Sequence, residues 1–183
     1  MIIYQDNDAA LLLFDRVFSA SDFDIIQREV DWRQNQIRLF GKWHLEPRLT
    51  AWFGKPYRYS NIHWEEQKWI APLEQMREKI NALYPFSFNS VLANYYRDGQ
   101  DSMGWHSDNE PEMNQACIAS VSLGASRVIH FRNKISKEKL RITLYGGSLL
   151  IMQHFQKDWQ HAIPKTAKAI GPRINLTFRE IKS

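Results

Sequence analysis

The sequence has little cysteine, no long apolar run and no strong excess of either charge. One cysteine, Cys117, occurs among 183 residues, which excludes an internal disulfide framework and a cysteine-based zinc finger. No apolar run approaches the roughly 20 residues that cross a bilayer. The first 18 residues carry acids within their apolar stretch and no basic region before it, unlike a secretory signal. We therefore expect a soluble, intracellular protein with no membrane partner.

Composition predicts one globular domain with a ligand-binding role. Hydrophobic residues make up 44% of the chain and aromatic residues 13%, enough for a substantial core. So many aromatic side chains exceed what packing requires, which suggests that some of them contact a ligand. The net charge is only +4, yet the isoelectric point near 9.2 is compatible with a phosphate-bearing partner.

Helical periodicity occurs in two segments of the N-terminal half. The first begins at Ser21 with acids in its first turn and is predicted to be helical to about Trp32. The second is predicted over residues 70–84, with Pro72 near its start and Pro85 after its end. Their apolar stripes are Phe23, Ile26 and Val30 in the first segment, and Leu73, Met76, Ile80 and Leu83 in the second.

After residue 85 the apolar pattern changes to the period of a β-strand. Strands are predicted at residues 89–96, 116–123, 127–132, 140–144, 148–152 and 173–179. Short strands without intervening helices indicate an antiparallel sandwich or barrel. Residues 99–115 are polar and rich in turn formers, so we predict a loop there, where chemical residues are often placed.

This loop contains His106-Ser107-Asp108, in which the histidine and the aspartate would lie on one face of an extended chain. With a second histidine they would form the facial triad of non-haem Fe(II) oxygenases, which leaves the opposite face of the ion open. The candidates for that histidine are His130, His154 and His161. Alternatively, His-x-Asp occurs by chance and these side chains are ordinary surface groups.

The last predicted strand favours the metal site over chance. Its alternation places Arg173, Asn175, Thr177 and Arg179 on one face and apolar residues on the other. On a solvent-facing strand these arginines would be ordinary surface charges. Inside a barrel each would need an anion, and arginine is well shaped to bind carboxylates. A dicarboxylate beside an Fe(II) triad indicates 2-oxoglutarate.

These motifs resemble the AlkB family of Fe(II)/2-oxoglutarate dioxygenases. Three motifs follow one another along the chain in the order typical of this family. They are His-Ser-Asp, a histidine 53 residues after the aspartate, and Arg-Ile-Asn-Leu-Thr-Phe-Arg twelve residues after that histidine. Further matching motifs lie at residues 47–54, 56–60, 94–99 and 119–125. Phe-Gly-Lys-Trp-His at residues 40–44 resembles the branch of AlkB homologues 2 and 3, which repairs duplex DNA.

The resemblance implies a mainly β fold with flanking helices, a double-stranded β-helix or jelly roll. Residues 1–183 would form one domain, with N-terminal helices and a nucleotide-recognition lid in about 1–88 and the catalytic core in about 89–183. His106, Asp108 and His161 would be the catalytic Fe(II) ligands. Arg173 would bind the distal carboxylate of 2-oxoglutarate, and the residues completing that pocket would be Asn94, Tyr96, Asn175, Thr177 and Arg179.

The resemblance also implies oxidative dealkylation of N-alkylated bases in double- or single-stranded DNA, with RNA as an alternative, by a monomeric enzyme that uses O₂. The implied base contacts are Tyr57, Arg58 and Tyr59 in the lid, Phe40, Gly41 and Lys42 in a finger that enters the base stack, and Asn109 and Glu110 after the metal-binding aspartate. Phosphate contacts are expected among Arg48, Lys55, Arg58, Lys134, Lys137, Lys139, Lys165 and Lys168.

Two other functions remain compatible with the motifs. An oxygenase acting on a protein side chain or a small metabolite would share the metal and co-substrate residues. It would have no use for the Phe-Gly finger or for an aromatic base clamp. A metal-free jelly roll that only binds nucleic acid would need none of the iron chemistry.

Overall fold

The computed structural model describes residues 1–39, 41–59 and 62–182, and their backbone forms two helices and fifteen strands. The helices are α1 (Ala20–Glu29) and α2 (Ala71–Leu83). The strands are β1 (Ile2–Asp6), β2 (Ala9–Phe14), β3 (Gln36–Leu39), β4 (Lys42–Leu45), β5 (Leu49–Gly54), β6 (Tyr57–Tyr59), β7 (Ile62–Trp64), β8 (Ser90–Tyr96), β9 (Met103–His106), β10 (Cys117–Gly124), β11 (Arg127–Asn133), β12 (Lys139–Leu144), β13 (Ser148–Gln153), β14 (Trp159–Ile163) and β15 (Arg173–Arg179).

A seven-stranded antiparallel sheet has the order β1-β2-β13-β10-β15-β8-β5. The second sheet has four strands in the order β12-β11-β14-β9, and β3-β4 and β6-β7 form separate hairpins. One apolar cluster lies between the two main sheets, where Leu92 and Ile118 of the large sheet meet Phe131 and Ile163 of the small one. This face-to-face arrangement confirms the jelly roll that the family resemblance implies.

Both helices cover the outer face of the seven-stranded sheet. Ile26 of α1 and Leu73, Met76 and Ile80 of α2 are buried against the other apolar cluster. The N-terminus of α1 is capped by Ser19, whose backbone N–H and hydroxyl both donate to the Asp22 carboxylate. Strand residues therefore alternate between a helix-facing core and a core shared by the two sheets.

The predicted elements are present, with differences at their ends. Helix α1 stops at Glu29 instead of continuing to Trp32, because Val30 already adopts an extended backbone. The region 99–115 is not loop throughout, since β9 occupies its centre. The predicted boundary between lid and catalytic core at about residue 88 is also wrong. Strands β1, β2 and β5 precede that residue and belong to the seven-stranded sheet of the core.

Within the described part of the chain, neither helix is long and apolar enough to cross a membrane.

Candidate metal and co-substrate site

The side chains predicted to bind the metal lie on, or just after, neighbouring strands of the small sheet. His106 ends β9 and lies directly opposite His161 of β14. Asp108 follows two residues later and is only 1% exposed. One ligating atom from each of the three residues lies within 4.8 Å of the others. Strand pairing therefore brings together groups that are more than 50 residues apart in sequence.

Contacts around the triad fix the direction of its ligating atoms. His106 Nδ1 lies 2.8 Å from the carbonyl oxygen of Gly104, and since a carbonyl only accepts, this nitrogen must donate. The lone pair of a neutral His106 is thereby left on Nε2, which lies 3.8 Å from the Asp108 carboxylate. The Asp108 backbone N–H donates to the buried Gln156 side chain at 3.0 Å. Such supporting contacts orient metal ligands in proteins.

The protonation states of the buried ligands suit a divalent cation. Burial and the neighbouring His106 lower the pKa of His161 to about 3, so its imidazole is neutral. Burial would raise the pKa of Asp108, but Arg179 and the two histidines together outweigh it and hold that pKa below its ordinary value. The site therefore offers a neutral imidazole at His161 and an ionised carboxylate at Asp108 beside the His106 ring, the residue types of an Fe(II) facial triad.

The other two candidate histidines, His130 and His154, lie away from this cluster. His130 is half-buried on β11, opposite Arg141 of β12. His154 is exposed in the turn after β13. The geometry thus selects His161 from the three candidates that the sequence left open.

The polar face of β15 lines the cavity beside the triad. Arg173, Asn175, Thr177 and Arg179 all border it, as do Asn94 and Tyr96 of the neighbouring strand β8. In the sheet Arg173 lies opposite Tyr96, and Asn175 lies opposite Asn94. All six residues predicted for 2-oxoglutarate are therefore gathered at one cavity.

Arg173 is the group in this cavity that most needs an anion. It is 1% exposed, and its Nη2 donates to Ser122 Oγ at 2.8 Å. Among the described residues, its buried Nε and Nη1 have no hydrogen-bond partner. Burial and the neighbouring Arg127 lower the pKa of Arg173 to about 10, and it remains charged at neutral pH. A buried guanidinium with unused donors fits a carboxylate.

Arg179 contacts the metal cluster directly. Its Nη2 donates to Asp108 Oδ1 at 2.8 Å, and both side chains are almost fully buried. The sequence placed Arg179 on the correct face but gave no indication of this partner. Gln156 was also missed, because an isolated glutamine carries no motif.

The predicted base contacts are only partly described. Phe40 and the side chains of Tyr57, Arg58 and Tyr59 lie outside the described residues. Gly41 has φ +80 in the β3-β4 turn, and Lys42 is exposed at the start of β4. Asn109 is exposed and Glu110 partly buried, and neither is among the described residues lining the cavity.

One predicted phosphate contact is wrong. Arg48 is 3% exposed and forms an ion pair with Glu46 at 2.7 Å, so its guanidinium does not reach a surface where phosphate could bind.

Comparison with known proteins agrees with the site. Residues 12–179 match the model of the 2OG-Fe(II) oxygenase superfamily. The DNA oxidative demethylase ALKBH2 of Bos taurus is 37% identical over 186 residues, which cover 93% of this chain and 67% of the bovine protein. ALKBH2 of Homo sapiens is also 37% identical, with 93% of this chain and 71% of the human protein covered. The chain belongs to the AlkB family.

A further relative and a solved structure extend the comparison. The alpha-ketoglutarate-dependent dioxygenase alkB homolog 3 of Mus musculus is 40% identical over 167 residues. That match covers 84% of this AlkB-family chain but only 58% of the mouse protein. The structure of OsALKBH1 has a TM-score of 0.61 and 14% identity, covering 97% of this chain and 100% of the other, and supports the fold alone.

Family membership confirms several predictions. The AlkB-family chain is an Fe(II)- and 2-oxoglutarate-dependent dioxygenase, with O₂ as the second substrate. The predicted branch, that of homologues 2 and 3, is confirmed by the identities above.

Proposed function

We propose that this enzyme oxidatively dealkylates N-alkylated bases in DNA. The observation that carries the proposal is the cluster of His106 with the buried Asp108 and His161, beside the unused donors of Arg173. Relatives named DNA oxidative demethylase support DNA as the substrate. We further propose that the chain acts as a monomer inside the cell on single- or double-stranded DNA, with RNA as an alternative substrate.

In the proposed mechanism, His106, Asp108 and His161 would hold Fe(II), which would supply the activation of O₂ coupled to decarboxylation of 2-oxoglutarate to succinate. Arg173 binds the distal carboxylate of 2-oxoglutarate, and the polar residues of β8 and β15 complete that pocket. Apolar walls from Leu92, Ile129 and Met152 limit the access of water. Hydroxylation of the alkyl carbon gives a hemiaminal, which collapses to an aldehyde and the repaired base.

The substrate side of the proposal involves the β3-β4 and β6-β7 hairpins. The base would be taken out of its stack, since the alkyl group must reach the buried metal site. Tyr57, Arg58 and Tyr59 would contact the extracted base with Asn109 and Glu110. Phe40, Gly41 and Lys42 would occupy the gap in the duplex.

The test is incubation of the enzyme with Fe(II), ascorbate, 2-oxoglutarate and a panel of alkylated oligonucleotides, followed by mass analysis. We expect succinate, formaldehyde from methylated bases and the unmodified base. His106→Ala and Asp108→Ala should abolish turnover and leave the circular dichroism spectrum unchanged. Full activity in either variant would reject the metal assignment.

The same panel separates the other functions. Turnover of a peptide or of a free metabolite in place of nucleic acid would overturn the substrate assignment, and turnover of methylated RNA without turnover of DNA would favour the alternative substrate. DNA binding without any conversion of 2-oxoglutarate would identify a metal-free binding module instead.

A further inference from the structure

A buried ion pair lies directly behind the co-substrate pocket. Glu46 and Arg48 are 2% and 3% exposed, and the Glu46 carboxylate accepts from Arg48 Nη2 at 2.7 Å. Neither residue lines the cavity that contains the metal cluster. Removing two charges from water is costly, and well-packed apolar residues often stabilise a fold equally well. The pair therefore calls for a role beyond stability.

Arg48 makes one contact that reaches the cavity wall. Its Nε donates to Asn94 Oδ1 at 2.8 Å, with both groups buried. A guanidinium has no acceptor, so it can bind only the oxygen of the Asn94 amide. This contact prevents the Asn94 side-chain amide from rotating by 180°. Its Nδ2 donor is therefore free to face the cavity that Asn94 lines. The oxygen atoms of a bound 2-oxo acid are acceptors, so this wall of the cavity must supply a hydrogen-bond donor.

Glu46 is itself held from the opposite side. Thr50 Oγ1 lies 3.3 Å from Glu46 Oε2 and accepts a hydrogen bond from Asn35 Nδ2 at 2.7 Å. The Glu46 backbone N–H donates to the Asn35 carbonyl at 2.8 Å. Asn35 directly precedes β3, so these contacts link the base of the β3-β4 hairpin with the Asn94 amide.

We propose that Arg48, held by Glu46, is a positioning residue that directs the Asn94 Nδ2 donor toward 2-oxoglutarate. The proposal rests on the co-substrate pocket proposed above. It assigns Glu46 and Arg48 to the co-substrate affinity of the enzyme and not to phosphate binding.

The test measures 2-oxoglutarate binding without turnover, by anaerobic calorimetry on the Mn(II)-loaded protein. The double variant Glu46→Gln/Arg48→Gln leaves no buried charge unpaired and allows the Asn94 amide to adopt either orientation. We expect its affinity for 2-oxoglutarate to fall at least about 10-fold. Mn(II) affinity should stay the same, and kcat at saturating 2-oxoglutarate should change much less than KM.

The matched control is Asp31→Asn/Arg33→Gln. This pair has the same spacing and a similar N–O distance of 2.9 Å, but both side chains are exposed. We expect wild-type affinity for 2-oxoglutarate in this control. Equal losses in the two double variants, or no loss in either, would overturn the proposal.

A cycle with Asn94 distinguishes positioning from a general structural effect. If Arg48 acts through Asn94, adding Asn94→Ala to the Glu46→Gln/Arg48→Gln variant should weaken binding no further than Asn94→Ala alone. Additive losses would contradict this. If the double variant does not fold, the variant Asn94→Asp still tests the proposal. It keeps the acceptor for Arg48 and removes the Nδ2 donor. Retained affinity in Asn94→Asp would overturn the proposal.

Failure of the proposed function would be recognised separately. Absence of 2-oxoglutarate binding to the Mn(II)-loaded wild-type protein would reject the pocket itself, before any variant is compared.

Discussion

At the scale of single residues, Asp108 is the centre of the site. Its carboxylate faces His106, His161 and Arg179, and its backbone N–H is held by Gln156. These contacts restrict the orientation of the carboxylate. If the triad holds a metal as proposed, its geometry depends also on residues outside the triad, foremost Arg179.

Arg179→Gln should lower metal affinity about 10- to 100-fold, as the loss of a contact to a metal ligand commonly does. The physical reason is that Asp108 loses the 2.8 Å hydrogen bond that orients its carboxylate. Titration with Mn(II) would measure the change. Arg132→Gln is the control, because Arg132 stacks on exposed Trp105 and bonds Gln160 away from the cavity. An unchanged Mn(II) affinity in Arg179→Gln would contradict the expectation.

Arg173→Gln should raise the KM for 2-oxoglutarate by at least about 10-fold, since a charge-assisted bond to a carboxylate is lost. Mn(II) affinity should be unaffected, because the contacts of Arg173 in the described part of the chain are with Ser122, Tyr96 and Arg127 and not with the triad. Arg173→Lys keeps the charge but not the forked donors, so its KM should lie between those of the wild type and the glutamine variant. Steady-state rates at varied 2-oxoglutarate provide the measurement. A KM equal to that of the wild type would reject the carboxylate-binding role.

At the scale of elements, the sequence predicted six strands after residue 85 and missed β9, β14 and the strands of the N-terminal half. β15 was predicted with both of its ends, since polar and apolar residues alternate along its whole length. β9 has four residues, one of them Gly104, and β14 has a single β-branched residue, Ile163. Both are strands because of their partners in the sheet, a tertiary effect that local propensity does not contain.

The residues of the site show the same difference between local sequence signals and long-range packing. The face carrying Arg173 and Arg179 followed from period-two alternation, and the choice of His161 followed from family resemblance. The ion pair of Glu46 and Arg48 had no such signal, because burial of a charged residue depends on long-range packing. A short hairpin was overlooked at the N-terminus, although Asn7 between two apolar runs is a turn signal and has φ 49.

The β3-β4 hairpin carries the proposed finger. Phe40→Ala should reduce turnover on double-stranded substrate more than on single-stranded substrate, because only the duplex has a stack to fill. Rates on matched methylated oligonucleotides in the two forms would test this. Ile135→Ala removes an exposed apolar side chain from a different turn and should affect neither rate. Equal losses on both substrates in Phe40→Ala would exclude the finger.

The turn between β12 and β13 depends on glycine. Gly147 has φ +84, and a Cβ there would clash with the Phe18 carbonyl oxygen. Gly41 has a similar φ of +80, but a Cβ there would meet no heavy atom of the described residues within 4 Å. Gly41→Ala should thus lower the free energy of unfolding by about 1–2 kcal/mol, from backbone strain alone. Gly147→Ala should lower it further, as urea unfolding would show, and equal losses would contradict the clash.

At the scale of the whole molecule, three layers share two cores. Helices cover one face of the seven-stranded sheet, and the small sheet covers the other. The proposed metal ligands His106 and His161 lie on the small sheet, with Asp108 just after β9, and the proposed co-substrate residues lie on the large sheet. Ligand binding therefore joins the two sheets across their common core.

Mn(II) with 2-oxoglutarate should stabilise the whole fold, by about 2.7 kcal/mol when the ligand is at 100 times its Kd. If residues 1–183 form one domain, circular dichroism and tryptophan fluorescence should report one coincident transition, with and without ligand. Asp108→Ala should lose the ligand-dependent rise in melting temperature. Two separate transitions in the wild-type protein would reject the single domain.

The place of β2 in the large sheet has a consequence for synthesis on the ribosome. β2 ends at Phe14, and its partner β13 ends at Gln153. At about 5–20 residues per second, the ribosome needs roughly 7–28 s to make the chain between these two points. Throughout that interval the apolar Leu11, Leu12 and Leu13 can pair only with β1 of the same hairpin, and the β13 side of β2 stays uncovered. A nascent chain with such an early, late-paired strand is a natural client for a chaperone that binds short apolar segments.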